Sequence, residues 1–446
     1  MKKTSILPLL VSAMCVASCS QAPTNQEPQT VSQWAQQAVI YEVNIRQYTP
    51  EGTFNAFSLH LPRLKKLGAD ILWLMPINPI SEEGRKGSLG SYYSVADYKG
   101  VNPQFGTPTD LHNLISNAHQ LGLKVIIDWV ANHTGCDNKW TTEHPDWYVH
   151  NEDGTFYSPY DWTDTYKLDY QNAQMRRGMI DAMKFWVDSF NIDGFRCDVA
   201  YEVPNDFWVE ARQSLDSIRP LFMLAESEVP SLQHTGAFDM CYNWPLKNLM
   251  FSIVKGENNA QAIDTLFVGQ EKRFPDGNII MNHLTNHDLN SWDGSEFVRF
   301  GDAVRPFALL TYTLPGMPLL YTGQEVGMSK TLQFFEKDTV PSWNENEWTT
   351  FYTQLCALRH ANVALNSYTP WSKANVINCG NDNILAFERT ADNGNAVVII
   401  VNLSAQPAAI STEALRSKAN YVNYFNSNEA IPDTLSAWGF AVLIKQ

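Results

Sequence analysis

The feature of the sequence that most constrains its fold is a repeated alternation of short apolar segments with amphipathic helical patterns. Eight apolar segments have the length of buried strands, which indicates parallel strands joined by helices in an α/β protein. An open doubly wound sheet is the alternative, but no GxGxxG follows the first strand, and eight consecutive units favour a (β/α)8 TIM barrel. The predicted strands are residues 39–45, 71–75, 125–130, 194–199, 222–225, 238–242, 279–284 and 318–321, and the predicted helices include residues 61–67, 110–121, 175–190, 207–215, 303–313 and 348–359.

Two regions depart from this alternation. Residues 133–168 follow the third strand, contain many Trp, Tyr, Asp and His residues and show little periodicity, so they predict a functional insertion on the barrel. Beyond residue 366 only short strand patterns occur, at residues 384–389, 396–402, 421–426 and 440–444. We therefore predict a barrel at residues 34–365 and a C-terminal antiparallel β-sandwich at residues 366–446.

The first 33 residues have the character of a targeting segment. Lys2 and Lys3 precede an apolar stretch at residues 6–17 that is too short to span a membrane. Two small residues then precede Cys19, as in bacterial lipoproteins, which predicts a signal peptide at residues 1–18, a lipid on Cys19 and a polar tether at residues 19–33. This places the chain at the cell envelope, anchored to a membrane. The alternative is ordinary cleavage and secretion, and the sequence leaves the membrane and its face open.

Composition restricts the partners. The formal net charge of −15 repels a phosphate backbone, so nucleic acid is not an expected partner, whereas a neutral glycan is unaffected. The 14 Trp residues suit a sugar-binding site but also a large core. No CxxC pair occurs, which argues against a zinc site or a disulfide framework and favours buried free thiols.

Carboxylates occur at the ends of four predicted strands, at Asp128, Asp198, Glu226 and Asp288. In this barrel, catalytic residues lie at the C-terminal strand ends. A single carboxylate there is more often a cap or a salt bridge, but four in order are hard to explain in that way. Arg196 and Asp198 are two residues apart on one strand and should face the same side, so the guanidinium should lower the pKa of Asp198.

Four of these segments, residues 128–133, 194–198, 222–226 and 284–288, resemble the four signature regions of the α-amylase family, glycoside hydrolase family 13. Residues 68–76, 93–98 and 316–325 are also similar to segments of that family. The resemblance extends over residues 38–361. It implies a barrel enzyme that cleaves α-glucosidic bonds with two carboxyl groups.

The resemblance implies a role for each matching residue. Asp198 is the expected nucleophile, Glu226 the general acid and Asp288 the third acid that stabilises the transition state. The expected sugar-binding residues are Arg196, His133, His287 and the stacking ring of Tyr93. Asp97, Asp128 and Asn132 are expected to support the site.

Three positions depart from the family pattern. Many members bind calcium between barrel and insertion, and Asn132 matches one ligand, but Lys167 stands where an acidic ligand is expected and Glu202 where a histidine is expected. We infer that the usual calcium is absent and that the ammonium replaces its charge, although Asp169 and Glu202 could form a different site. Tyr201 stands where a lysine often meets the leaving-group sugar, which makes an ordinary endo cleavage pattern less secure.

The sequence therefore predicts a retaining glycoside hydrolase acting on α-1,4 bonds of starch, maltodextrin or related α-glucans. A transglycosylase or an exo-acting α-glucosidase of the same family is the enzymatic alternative. A lipid-anchored glycan-binding protein that has lost activity is the alternative of another class, and such proteins usually lack a catalytic carboxylate.

Overall fold

The computed structural model describes residues 31–411, 413, 415, 421–426 and 433–445. Eight parallel strands form a closed barrel in which neighbours follow chain order and the last strand pairs with the first. This confirms the predicted barrel and excludes the open sheet. The strands are β1 (Ile40–Val43), β2 (Ile71–Leu74), β3 (Lys124–Trp129), β4 (Gly194–Cys197), β5 (Phe222–Ala225), β6 (Met240–Tyr242), β7 (Ile279–Asn282) and β8 (Met317–Tyr321).

Helices surround the barrel. Their ends carry the expected capping residues, such as the capping box of Thr107 and Asp110 and the left-handed Asn191 that ends the helix before β4. The longer helices are α1 (Leu61–Leu67), α2 (Pro108–Gln120), α3 (Ala173–Phe190), α4 (Asn205–Asp216), α5 (Trp244–Val254), α6 (Gln261–Arg273), α7 (Val304–Thr313) and α8 (Glu347–Ala361). Shorter helices are Val31–Trp34, Ile45–Tyr48, Phe54–Ser58, Trp140–Glu143, Pro230–Gln233 and Glu296–Phe300.

Alternation along the strands separates two cores. One set of buried side chains, including Ile71, Ile126 and Leu224, fills the inside of the barrel, and the residues between them pack outward against the helices. Gly194 begins β4 because a Cβ there would lie 1.9 Å from the carbonyl oxygen of Phe222 on β5. The alternation therefore also fixes which strand-end side chains point into the barrel.

The insertion contains an antiparallel hairpin, which pairs His133–Gly135 with Thr165–Lys167. Between these strands lie Trp140–Glu143 and the single turn Pro145–Trp147. Tyr98 joins the hairpin to the barrel, since its hydroxyl oxygen lies 2.8 Å from the carbonyl oxygens of both Val130 and His133 and can donate to either. The insertion is thus attached directly above β3.

The C-terminal region is a separate antiparallel β-structure with a five-stranded sheet. Leu385, Phe387 and Val397 on one face belong to the main core, whereas Ile384, Ala386 and Val398 on the other face belong to a small core shared with a two-stranded sheet. In sheet order the five strands are Asn375–Val376, Ile384–Thr390, Ala396–Asn402, Phe440–Lys445 and Tyr421–Asn423, and the second sheet pairs Ala408–Ala409 with Thr434–Leu435.

The predicted signal peptide, Cys19 and most of the tether lie outside the described residues. Within the described part of the chain, no helix combines the length and apolarity that crossing a membrane requires. The five cysteines that the structure describes are free and buried, as expected: Cys136, Cys197, Cys241, Cys356 and Cys379.

Candidate active site

The C-terminal ends of the barrel strands bring the predicted carboxylates together. Asp128 and Arg196 occupy inward positions on β3 and β4, whose register pairs them directly. Asp198 and Glu226 follow the last residues of β4 and β5. Strand alternation therefore places these polar side chains in one layer above the apolar interior.

Arg196 lies at the centre of this layer and is fully buried. One of its terminal nitrogens, Nη1, lies 2.9 Å from both Asp128 Oδ1 and Asp198 Oδ1. The other, Nη2, lies 2.9 Å from Glu226 Oε2. A single guanidinium thus contacts both proposed catalytic carboxyl groups, and Arg196 is not itself among the residues that line the cavity.

Arg196 lowers the pKa of Asp198, as expected, but it does not bring that pKa below its ordinary value. Burial of the carboxyl raises its pKa well above the ordinary value, and the nearby Glu226 carboxylate raises it further, while Arg196 opposes both effects. Both carboxyl groups contact the same guanidinium, so they lie close enough to influence each other electrostatically.

A strained turn holds Glu226. Val199 has φ +35° and ψ +47°, a left-handed conformation that β-branched residues rarely adopt. In this conformation its backbone N–H donates to Glu226 Oε2 at 2.8 Å. The backbone N–H of Ala200 also donates to the carbonyl of Glu226 at 3.2 Å. Strain of this kind is typical of functional sites.

A second cationic group is His287. Its Nδ1 lies 2.5 Å from Glu42 Oε1 on β1, and its Nε2 lies 3.4 Å from Asp288 Oδ2. Burial lowers the pKa of His287, but Asp288 and Glu42 outweigh burial and raise that pKa to about 9. The imidazolium is therefore charged at neutral pH, whereas burial lowers the pKa of His133 to about 4 and keeps it neutral.

Tyr93 connects these groups. Its hydroxyl lies 3.1 Å from Asp128 Oδ2 and 2.7 Å from His287 Nε2. Its ring stacks on the His287 ring, with centroids 5.3 Å apart, and on Phe334 at 6.3 Å. Trp73 Nε1 donates to the same Asp128 oxygen at 3.1 Å.

Several of the residues described above line a cavity of about 530 Å³, which is large enough for a short oligosaccharide. The structure brings six of the predicted residues to its wall: Tyr93, His133, Asp198, Glu226, His287 and Asp288. Aromatic rings Trp162, Trp292, Phe334 and Phe335 complete the wall, together with Lys86, Ser91, Asp161, Asp164, Thr165 and Val199.

The three supporting residues lie in different places. Asp128 is buried behind the cavity and bonds Arg196, Trp73 and Tyr93, as described above. Asn132 is also buried, and its amide lies 3.3 Å from Nδ1 of His133. Asp97 lies away from the cavity, where its carboxylate accepts from Lys139 Nζ of the insertion at 3.1 Å.

Lys167 and Glu202, the two residues that depart from the calcium-binding pattern of the family, contact each other. Lys167 Nζ lies 3.0 Å from Glu202 Oε2, and the Tyr160 hydroxyl donates to Glu202 Oε1. A calcium ion bound to Glu202 would stand beside an ammonium, so these residues do not suit the usual ion. Among the residues described, no three His, Cys, Asp or Glu side chains lie close enough together to hold a metal ion. Asp169 and Glu202 therefore do not belong to such a group.

Sequence reasoning missed several residues of the site. Glu42 could have been found, because it is a carboxylate inside a buried strand, two residues from the inward-facing Ile40. Trp73 could have been found in the same way, because it lies on β2 two residues from the inward-facing Ile71. Trp162, Trp292 and Phe334 lie in long connections without periodicity, where no sequence pattern fixes a side chain's direction.

Comparison with known proteins agrees with this geometry. The family model described as the catalytic domain of alpha amylase matches residues 25–146 and 141–354. The crystal structure of an alpha-amylase from Lactobacillus plantarum is 30% identical, with a TM-score of 0.81 over 92% of this chain and 99% of that chain. The maltogenic alpha-amylase AmyB from Thermotoga neapolitana is 29% identical, with a TM-score of 0.80 over 92% of this chain and 96% of that one.

A curated relative, the alpha-amylase MalA of Haloarcula japonica, is 29% identical over 410 residues. The alignment covers 87% of this chain but 58% of the relative, so this chain spans less than two thirds of that protein's length. The family model covers well over half of the chain, including every strand of the barrel and the carboxylates at its mouth. The chain therefore belongs to the α-amylase family.

Proposed function

We propose that this chain is a retaining glycoside hydrolase that cleaves α-1,4-glucosidic bonds in starch, maltodextrins or related α-glucans. The observation that carries the proposal is the pair of Asp198 and Glu226 on one guanidinium at the base of the cavity. Membership of the α-amylase family supports the substrate class. The aromatic cavity wall supports it too, since sugar rings stack on such surfaces.

In the first step, Asp198 carboxylate attacks the anomeric carbon and forms a glycosyl ester. Glu226 donates its proton to the glycosidic oxygen as the bond from that oxygen to the anomeric carbon breaks. Positive charge develops on the sugar ring, and the surrounding carboxylates of Asp288 and Asp128 stabilise it electrostatically. The leaving sugar departs with the proton from Glu226.

In the second step, Glu226 carboxylate removes a proton from water, and the resulting oxygen attacks the anomeric carbon. The ester bond to Asp198 breaks, which restores the Asp198 carboxylate and leaves the proton on Glu226. Two displacements at one carbon retain the α configuration. A sugar hydroxyl in place of water would give transglycosylation by the same chemistry.

Product analysis on amylose, maltotriose, cyclodextrin and pullulan tests this function. We expect sugars from at least the first two substrates, with the α-anomer appearing first in an NMR time course. Products longer than the substrate in the maltotriose reaction would favour the transglycosylase, and single small units released from amylose would favour exo action. No release from any of the four substrates would overturn the hydrolase and favour the glycan-binding alternative, whereas β-product first would overturn retention.

A further inference from the structure

Three connections form one side of the cavity wall. The loop between β2 and α2 contributes Lys86, the insertion after β3 contributes Asp164, and the connection between β8 and α8 contributes Phe335. The strands β8 and β2 are the two neighbours of β1 in the closed barrel, and β3 follows β2. The strand that precedes Glu226, β5, is four strands from β1 in either direction. These three connections therefore lie across the barrel mouth from Glu226.

Lys86 joins the loop after β2 to the insertion. Its Nζ lies 3.3 Å from Asp164 Oδ1 and donates to the backbone carbonyl of Asp161 at 3.0 Å. The Asp164 side chain is only 4% exposed, so an almost buried carboxylate holds this ammonium. Because Lys86, Asp161 and Asp164 all line the cavity, their contacts leave no gap in the wall between the loop and the insertion.

The same loop is also fixed to the connection after β8. Gly87 lies so close to Phe335 that a Cβ on this glycine would be 2.5 Å from the Cβ of Phe335. The backbone N–H of Leu89 donates to the carbonyl of Phe335 at 3.0 Å. The buried Arg46 donates to the carbonyls of Leu89 at 3.2 Å and Phe334 at 3.3 Å. The wall is therefore continuous from the insertion to Phe335.

The proposed chemistry gives this wall a direction. Glu226 protonates the glycosidic oxygen, so the leaving sugar lies on the side of Glu226 and β5. The sugar that becomes bonded to Asp198 extends from its anomeric carbon to the other side, toward β1. In an α-glucan, that sugar carries the part of the chain that ends in the non-reducing sugar. The non-reducing end is therefore directed at the continuous wall.

We propose that the contact of Lys86 with Asp164 closes the cavity at the non-reducing end of the substrate, so that the enzyme acts from chain ends and releases short units of fixed length. An open cleft would let the glucan continue beyond the cavity and would allow cleavage within a chain. Lys86 and Asp164 are then specificity-determining residues with no part in the bond cleavage itself. This proposal rests on the proposed function, because it concerns which bonds of an α-glucan are cleaved.

The test compares maltoheptaose with maltoheptaose that carries a benzylidene group on its non-reducing sugar. A closed cavity admits only a free chain end, whereas an open cleft accepts both substrates. In the wild type we expect kcat/KM on the blocked substrate to be about 100-fold lower than on the free one, equivalent to ~2.7 kcal/mol. Chromatography of the free reaction should show one short product from the earliest time points.

Variants of the pair test the role of the contact. Lys86→Ala removes the ammonium and should raise the ratio of blocked to free kcat/KM by about tenfold, equivalent to ~1.4 kcal/mol. Asp164→Asn removes the charge, keeps a similar shape and should raise the ratio similarly. Since both changes remove one contact, the double variant should rise no further. Lys66→Ala is the matched control, because Lys66 pairs with Glu345 on the surface and does not line the cavity.

The outcomes separate the two proposals. A wild-type protein that cleaves neither substrate overturns the proposed function. A wild-type protein whose kcat/KM values on the two substrates agree within twofold overturns the closed end and leaves the function standing. A ratio that stays at the wild-type value in Lys86→Ala and Asp164→Asn, or that rises further in the double variant, overturns the role of their contact. Turnover of free maltoheptaose by each variant shows that it has folded.

Discussion

Lys167 Nζ lies 3.0 Å from Glu202 Oε2, and this ion pair joins the insertion hairpin to the turn after β4. The side chains are only 27% and 19% exposed, so the pair is shielded more than an ordinary surface pair. An ammonium thus stands where the resemblance to the α-amylase family implies an acidic calcium ligand, and it pairs with Glu202.

We expect a chelator such as EDTA to leave the melting temperature within about 1 °C of its starting value. Lys167→Met should lower the free energy of unfolding by about 1–2 kcal/mol, because it leaves a mostly buried carboxylate without its cation. Differential scanning calorimetry measures both effects. Lys139→Met is the control: its pair with Asp97 is 49% and 36% exposed and should contribute less than about 0.5 kcal/mol. A large loss of stability in EDTA that calcium restores would contradict this account.

Replacement of either catalytic carboxyl group should remove most activity. We expect Asp198→Asn and Glu226→Gln to lower kcat on maltotetraose by about 10³-fold or more, because each loses a step that no neighbour can supply. Glu226→Gln should recover part of its rate on α-maltosyl fluoride, whose leaving group needs no proton, whereas Asp198→Asn should not. Glu210→Gln is the control, since Glu210 pairs with Arg176 between two outer helices and does not line the cavity. Near-normal rates in either purified catalytic variant would remove that residue from the mechanism.

Much of the fold and part of the site could be predicted from strand alternation. The inward position of Asp128 follows from Ile126, two residues earlier on β3, and that of Arg196 follows from the outward-facing Phe195 and Cys197 on either side of it on β4. The two-residue strands of the C-terminal region, such as Ala408–Ala409, are too short to give a period. The raised pKa of Asp198 could not be predicted, because its main causes are burial and a carboxyl on another strand.

The predicted lipid anchor lies outside the described residues and stays a prediction. We expect the mature chain to begin at Cys19 and to fractionate with membranes. One acyl chain binds weakly, but several hold firmly at about 0.8 kcal/mol per buried CH₂. Mass spectrometry of the N-terminal peptide measures the modification. Cys19→Ala should release active protein or block processing, whereas Cys15→Ala should alter neither the membrane fractionation nor the processing of the chain. A soluble wild-type chain with an unmodified N-terminus past residue 19 would mean simple secretion.

The contact between His287 and Glu42 predicts a titration at alkaline pH. The pKa of His287 is raised to about 9 in the folded chain from about 6.5 in the unfolded chain, because Asp288 and Glu42 favour the charged form. A raised pKa of this kind stabilises the fold fully below pH 6.5, and the contribution is lost as the pH rises through 9. Glu42→Gln removes one of the two carboxylates, so it should move the His287 titration toward neutral pH.

Nitrogen NMR of the imidazole in ¹⁵N-histidine-labelled protein measures this pKa directly. The free energy of unfolding, measured from pH 6 to 10, should fall more steeply in the wild type than in His287→Gln. Asp288→Asn is a second probe, because it removes the other carboxylate but leaves the 2.5 Å contact with Glu42 intact. The Glu42 and Asp288 variants should therefore each lower the His287 pKa, and both together should lower it most. A His287 imidazole that titrates near pH 6.5 in the wild type would show that Glu42 and Asp288 do not hold it in the charged form.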